Sequence, residues 1–391
     1  MQIFFFMLYT FISSIAQSMY RVIFNLYLRN NGFDNSFISH ITSFEMIGSA
    51  LLGIIIGLSG DKFGKKKMLI FTSVGVAAVL FLRVYFLNST VIVYSSFFIG
   101  GFLSSRFMLL NAYLVDITKS SGRGKAFGYN FALFMGGGLF GNSLGGVFSD
   151  FFGFRNALII TAYLYIGSTI FLIFVKDSNK NKNIKLRELF TISDMTKTQK
   201  HVIKYFFIRS FFISFGAGLF VNFGNIIFKD LFDFSASYIG FALALAQLGA
   251  SLGSVFSSKI SKKIGPYRFT AYFAGIVIPI IFSLAFIRIP LLFTVFYALR
   301  FSFMNMTNPV IQTVTSSYMP KNRITTINSM RNFVNFSSRA LAAFLFGIFS
   351  SFNNGYVIIF ILSAVFYFFG LIAVKKLFDG INKDVLLREL Y

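Results

Sequence analysis

Cysteine and tryptophan are absent from this chain of 391 residues, histidine occurs twice, and only 13 residues are acidic. Without Cys there is no disulfide framework, no thiolate metal site and no cysteine nucleophile. His40 and His201 lie far apart in sequence, which argues against a histidine metal cluster. Charged residues of either sign make up 13% of the chain and hydrophobic residues 56%, where a soluble domain carries about 25% charge. That balance excludes an ordinary soluble enzyme. The 58 Phe residues read as compositional bias and core packing, not as an aromatic cofactor site.

What the sequence does have is one apolar run after another. A helix needs about 20 apolar residues to cross a bilayer, and runs of that length, separated by short polar punctuation, give about twelve spans. The fold class expected is therefore all-α and polytopic. The first run starts close to Met1 with no basic leader and no small-residue cleavage site after it, so it reads as a retained helix and not as a signal peptide. Among the later runs, 126–149 and 154–175 read as two spans and 202–228 as one continuous span.

The net charge of +23 would suggest nucleic acid in a soluble protein, so its placement decides its meaning. Basic residues crowd alternate loops: Lys62, Lys65, Lys66 and Lys67; Lys119, Arg123 and Lys125; eight more between Lys176 and Lys204; Lys259, Lys262, Lys263 and Arg268; Lys321 and Arg323; and Lys375, Lys376, Lys383 and Arg388 in the tail. The opposite loops hold only Arg29, Arg155, Lys229 and Arg288. The positive-inside rule then puts both termini in the cytoplasm. The charge is accounted for by topology and attraction to anionic lipid, with no place for nucleic acid.

The polar Asn- and Lys-rich stretch after the sixth run divides the chain. The expected organisation is an N-terminal six-helix bundle over 1–175, a cytoplasmic linker over 176–201, a C-terminal six-helix bundle over 202–376 and a cytoplasmic tail over 377–391. The halves resemble each other at an offset of about 200 residues. Asn25 to Leu28 matches Asn225 to Phe228, Lys62-Phe63-Gly64 matches Lys263-Ile264-Gly265, and Gly146 to Ser149 matches Gly347 to Ser350. Repeats of this kind build two bundles around a midplane site.

The loop after the second span reads Gly57-Leu58-Ser59-Gly60-Asp61-Lys62-Phe63-Gly64-Lys65-Lys66. Gly57 permits close helix approach, Gly64 a tight turn, and Asp61 can meet a helix N-terminus or a basic partner. Further on come Asp116, Arg123, Gly128 and then Gly141-Asn142-Ser143-Leu144-Gly145-Gly146. Together these motifs resemble the major facilitator superfamily, with spacing closest to its drug and tetracycline exporters. Two positions depart from that branch. Asn142 stands where those exporters carry a Pro associated with antiport, and Phe97 where their fourth-span Arg would fall. The glycines Gly136, Gly137, Gly138, Gly141, Gly145 and Gly146 give a small-residue face for close packing. The resemblance implies twelve helices in two pseudo-symmetric bundles, alternating access and no cofactor.

Seven basic residues fall in or near the spans: Arg21, Arg83, Arg106, Arg209, Arg300, Arg331 and Arg339. Each intramembrane charge costs on the order of 3 kcal/mol or more unless it is paired or faces water. Arg83 and Arg331 lie near span ends and read as snorkelling side chains. In the superfamily the first, fourth, seventh and tenth helices line the central cavity, so the resemblance places Arg21, Arg106, Arg209 and Arg300 there, one on each. Polar residues recur at helical spacing beside them. Thr10, Ser14, Ser18, Arg21 and Asn25 form one stripe; Asn328, Arg331, Asn335 and Arg339 form another; Asn305, Asn308, Gln312 and Thr315 form a third. Glu45 is the only acid deep in a span. Family architecture sets the second and eleventh helices side by side, which predicts a Glu45–Arg339 pair that breaks as the halves rock, with Glu45 taking a proton when separated.

The function expected is secondary transport of a small solute, and excess guanidinium favours an organic anion. A proton-coupled exporter of hydrophobic or cationic compounds is the first rival, since Phe and Met suit apolar cargo. A receptor or lipid-handling protein that no longer transports is the second. Enzyme chemistry lacks a convergent nucleophile, base or metal set. The partners expected are a small-molecule substrate, a coupling proton and the lipid bilayer, with a monomer in the cell membrane.

Overall fold

Long apolar runs closed by polar caps dictate helices, and the computed structural model consists of them. It describes residues 2–118, 123–177, 195–320 and 323–381. The middle of the expected linker (178–194), the end of the tail (382–391) and the loop residues Lys119 and Lys321 lie outside these. The helices are α1 (Gln2–Asn30), α2 (Asn35–Phe63), α3 (Lys65–Tyr85), α4 (Ser89–Ile117), α5 (Arg123–Ile173), α6 (Lys197–Gly218), α7 (Gly224–Phe232), α8 (Ala236–Ile264), α9 (Pro266–Leu284), α10 (Pro290–Tyr318), α11 (Ile324–Ser350) and α12 (Gly355–Asp379). No strand occurs among the described residues.

The ends follow from side-chain chemistry. The Asp34 carboxylate accepts the Phe37 amide (2.8 Å) at the start of α2, and Asn88 accepts the Thr90 amide (2.9 Å) before α4. Thr196 and Gln199 make a reciprocal capping box at the start of α6. Pro266 and Pro290 open α9 and α10, where a missing N–H costs nothing. Gly64 (φ 99°) and Gly265 (φ 87°) turn the chain between α2 and α3 and between α8 and α9. These are the matched glycines of the sequence repeat, so the two halves share a backbone constraint as well as a pattern.

Ten segments are long and apolar enough to cross a membrane among the described residues. One of them, 49 residues long, exceeds twice the roughly 20 residues a span needs. It is interrupted at Gly153 (φ 78°, ψ 154°), between the two expected spans 126–149 and 154–175. Helix α10 adds the last crossing by length, its hydropathy lowered by Arg300, Asn305, Asn308 and Gln312. Among the described residues the fold is thus all-α with twelve crossings. One expectation needs correcting: the seventh span is not continuous. It stops at Gly218, passes through a 3₁₀ turn at Val221–Phe223 and resumes as α7. Gly216, Gly218, Asn222 and Gly224 cluster there, and their low helix propensity explains the break.

Two compact units divide the fold: Met1–Ile184 with Phe223–Leu245, and Lys185–Asn222 with Ala246–Tyr391, each counted over its described residues. This departs from the two sequence halves at Phe223–Leu245, and polar contacts give the reason. The Asn225 amide donates to the carbonyls of Arg21 (3.2 Å) and Val22 (2.8 Å) on α1. Asp230 pairs with Arg29 (3.4 Å). The Asp150 carboxylate accepts the amides of Ala236 (3.1 Å) and Ser237 (2.7 Å), capping α8.

Inside the first unit, α5 packs on α1 through glycines spaced four apart. A β-carbon at Gly137 would come within 2.6 Å of the Phe11 carbonyl oxygen, one at Gly141 would overlap the Ile15 backbone, and one at Gly145 would meet Met19 Cα at 3.0 Å. Gly146 faces another way, onto Ala236 and Ser237 at the start of α8. Helices α2 and α4 cross as closely, Gly100 lying on the Glu45 carbonyl, and the Ser49 hydroxyl donates to the Gly100 carbonyl at 3.0 Å. In the second unit α6 packs between α11 and α12, and α9 between α10 and α12.

Replacing Gly141 by Leu forces α1 and α5 apart and is expected to cost roughly 1–3 kcal/mol. Gly167→Ala, at a helical glycine with nothing within 4 Å of the added carbon, is expected to hold or raise stability. Melting temperatures of the two purified variants check this; equal values would refute the close packing of α1 on α5.

Candidate functional site

The signature loop is built as a clamp within the first unit. Lys65 Nζ reaches Asp116 Oδ2 on α4 at 2.6 Å and Asp61 Oδ1 at 3.4 Å. Lys66 Nζ donates to the Val175 carbonyl (2.7 Å) and its backbone amide to Asp177 Oδ1 (3.3 Å). Gly64 leaves no room for a β-carbon beside the Asp177 carboxylate. Lys62 lies over the Phe63 ring at 5.2 Å, and a β-carbon at Gly57 would come within 3.2 Å of Met108 Sδ. The signature residues thus tie the α2–α3 turn to the ends of α4 and α5. Asp116, which the sequence offered only as part of a spacing, is a working member of this clamp.

Deeper in the same unit, α1 carries two polar clusters. In one, Arg83 sits at 0% exposure, which corrects the snorkelling expectation. Its guanidinium donates to Tyr20 Oη (2.9 Å), Ser95 Oγ (2.9 Å) and Ser96 Oγ (2.6 Å) and lies 4.4 Å from the Phe24 ring centroid. Tyr20 in turn donates to Glu45 Oε2 at 2.8 Å. One tyrosine hydroxyl therefore relays between the buried cation on α3 and the carboxylate on α2. In the other cluster, buried Arg106 donates to Gln17 Oε1 and lies 5.4 Å from the Tyr165 ring. Its Nε and Nη1 have no partner among the described residues. Arg21 is exposed. Asn25 donates to Asn225 Oδ1 (3.3 Å), so the amide serves in joining α1 to α7.

In the second unit Arg209, Arg300 and Arg331 are held by hydroxyls, amides and rings. Arg300, 3% exposed, donates to Tyr367 Oη and is caged by the rings of Phe301 (4.8 Å), Phe220 (4.9 Å) and Tyr367 (5.3 Å). Such ring faces each return about 0.5–2 kcal/mol to a desolvated cation. Arg209 donates to Thr307 Oγ1 (3.2 Å). Arg331 donates to Gln312 Oε1 (2.7 Å) and Asn332 Oδ1 (3.3 Å) over the Phe206 ring. Asn335 accepts from the Ser214 hydroxyl (2.9 Å), and the Arg339 backbone lies against Gly218. The Nε atoms of Arg209, Arg300 and Arg331 are buried without a partner among the described residues. An arginine brings five donors, so these sites have donors to spare.

The structure therefore brings Glu45 together with Tyr20 and Arg83, and the arginines of α6, α10 and α11 together with hydroxyls and amides. Tyr20, Gln17, Thr307 and Tyr367 were not singled out by sequence. Nothing in a chain with 18 tyrosines marks Tyr20 as a relay, since it lies off the polar stripe of α1. Among the described residues no group of three or more His, Asp or Glu converges as a metal site would require.

These features agree with known proteins. The chain is 29% identical over 189 residues to the uncharacterized MFS-type transporter YuxJ of Bacillus subtilis, covering 46% of this chain and 44% of that one. It is 25% identical over 236 residues to the multi-drug resistance efflux pump PmrA of Streptococcus pneumoniae, covering 58% and 57%. It thus spans about half the length of the curated relatives it matches. The crystal structure of nucleoside transporter NupG superposes with a TM-score of 0.76 over 96% of this chain and 99% of that one, at 15% identity, which establishes a shared fold. The family description Major Facilitator Superfamily fits residues 6–343; with its twelve spans and signature loop, the chain belongs to that superfamily of transporters.

Proposed function

We propose that the protein is a secondary active transporter that moves a small organic anion by alternating access. One observation carries the choice of cargo: no Asp or Glu occurs between Asp233 and Asp379, a stretch that holds Arg300, Arg331 and Arg339. Arg209, Arg300 and Arg331 make their described contacts to hydroxyls, amides and rings of their own unit. A buried cation without a carboxylate calls for an anion from outside. The cavity residues proposed are Arg21, Asn25, Arg106, Arg209, Arg300, Asn335 and Arg339, and the moving bundles are 1–175 and 202–376. The basic loops support cytoplasmic termini in a cell membrane, with lipid as the surrounding partner and a monomer as the working unit. No cofactor or catalytic step enters this reading.

A second reading keeps the fold and changes the cargo to hydrophobic or cationic compounds exported against protons. The likeness to PmrA, a multi-drug resistance efflux pump, favours it, as does Glu45, a membrane carboxylate held by a tyrosine. In both readings Glu45 is the proposed proton carrier, and its pairing with Arg339 during the cycle is proposed as the gate. The Tyr20 contact gives the carboxylate a resting partner in its own unit.

Thermal stabilisation of the purified protein against organic phosphates, carboxylates, sugars and lipophilic cations decides the cargo, because a ligand of the native state raises its melting temperature. Stabilisation confined to anions and weakened at least about tenfold in affinity, or about 1.4 kcal/mol, by Arg300→Gln is the expected outcome. Stabilisation by lipophilic cations that is lost in Glu45→Gln would select the exporter.

Glu45→Gln is also expected to flatten the pH dependence of uptake into proteoliposomes, because the amide keeps the Tyr20 contact but cannot exchange a proton. An unchanged pH profile would remove the proton role.

A further inference from the structure

The second unit holds a pair of like charges, Arg209 of the proposed cavity and Arg331, which is not among the residues assigned to it. Arg209 on α6 donates to Thr307, and Arg331 on α11 donates to Gln312, so both guanidiniums are fixed to α10 within five residues of each other. Arg331 lies 5.4 Å from the ring of Phe206, three residues before Arg209 on α6. Arg209 is 5% exposed, and its Nε is unpartnered among the described residues, as is that of Arg331. Among the described residues the acceptors that meet them, Thr307, Gln312 and Asn332, are neutral. Gln312 spends its own amide on Asn328 (3.0 Å) and Ser316 (3.2 Å), so it is oriented with its oxygen toward Arg331. An anion lying between two neighbouring guanidiniums relieves their repulsion. Planar forks with unused N–H groups suit oxygen atoms of phosphate or carboxylate.

We infer that Arg209 and Arg331 form a two-guanidinium clamp for a doubly charged oxyanion, a phosphate group or a dicarboxylate, with Thr307 and Gln312 as positioning residues. The clamp deepens the transporter reading and rests on it for its role in cargo recognition. Arg331 is half-buried, which leaves the clamp an accessible side, whereas Arg209 supplies the fixed charge. The same chemistry describes a free solute and a lipid headgroup, and the test separates the two.

The full-length protein is titrated with inorganic phosphate, succinate and acetate at constant ionic strength, and melting temperature is followed. Phosphate and succinate are expected to give a saturable rise that acetate and chloride do not. Arg331→Gln is expected to weaken the phosphate response at least tenfold while leaving the unliganded protein as stable as the parent or more so, since a repulsion has been removed. A merely structural Arg331 would instead lower stability and leave the response intact, which would overturn the clamp. Arg331→Lys, keeping charge without the fork, is expected to retain a weakened response. Arg209 is buried and its variants can fail to fold, so the substitutions are made at Arg331. In nanodiscs, an Arg331-dependent rise found with phosphatidylglycerol but not with phosphatidylcholine or free phosphate would identify a headgroup as the occupant. Absence of any Arg331-dependent rise with phosphate, succinate or phosphatidylglycerol would overturn the inference. Exchange of labelled tetraphenylphosphonium in sealed vesicles with no phosphate response would remove the clamp and leave a transporter. A phosphate response without exchange of labelled phosphate, succinate or tetraphenylphosphonium would keep the clamp and remove the transporter.

Discussion

A cation in a medium of low dielectric constant must be given oxygen atoms, ring faces or water, and this requirement governs most of what is unusual in the protein. The two units meet it differently. In the first, Arg83 is compensated by two serine hydroxyls, an aromatic face and a tyrosine that passes the interaction on to Glu45. In the second, Arg300 is held by three rings, one of them Tyr367, whose hydroxyl it also bonds. Aromatic compensation leaves the charge itself unneutralised. Electrostatic attraction for an anion therefore survives in the second unit, while in the first it is partly consumed by Glu45.

Packing serves the same end. Polar groups in a bilayer need short, fixed contacts, and helices reach that proximity where side chains are absent. The Gly100 crossing brings α4 onto the Glu45 backbone, and the Ser49 and Ser104 hydroxyls use the closeness to bond across it at 3.0 and 3.1 Å. The charged clamp at Lys65, Asp61 and Asp116 fixes the α2–α3 turn at the end of the same helices. Close helix approach and ionic contact thus hold one frame, in which Glu45 has a defined partner.

Much of this was legible in the sequence because hydropathy, loop charge and the signature spacing are local properties. The twelve spans and the turn glycines Gly64 and Gly265 come from such signals. What the sequence did not disclose depends on which helix faces which. Arg83 lies near the end of its span and reads as a residue reaching for water, yet the serines that bind it sit on the next helix, 12 and 13 residues on. Asn25 falls on the polar stripe of a cavity helix and turns out to bond its own repeat counterpart, Asn225. The break in the seventh span was hidden because its residues remain apolar on average, and only backbone propensity marks it.

That break has a bearing on biosynthesis. Phe223–Leu245 belongs to the first unit but leaves the ribosome after α6, a helix of the second. Domains form from the N-terminus as the chain emerges, at about 5–20 residues per second, yet here the polypeptide through Leu245 must be available before the first unit has all its parts. Until then the carbonyls of Arg21 and Val22 lack the Asn225 amide and Asp150 lacks the amides of α8. Assembly of the first unit is thereby tied to the emergence of α6, a temporal link to the second unit that the covalent order of the chain imposes.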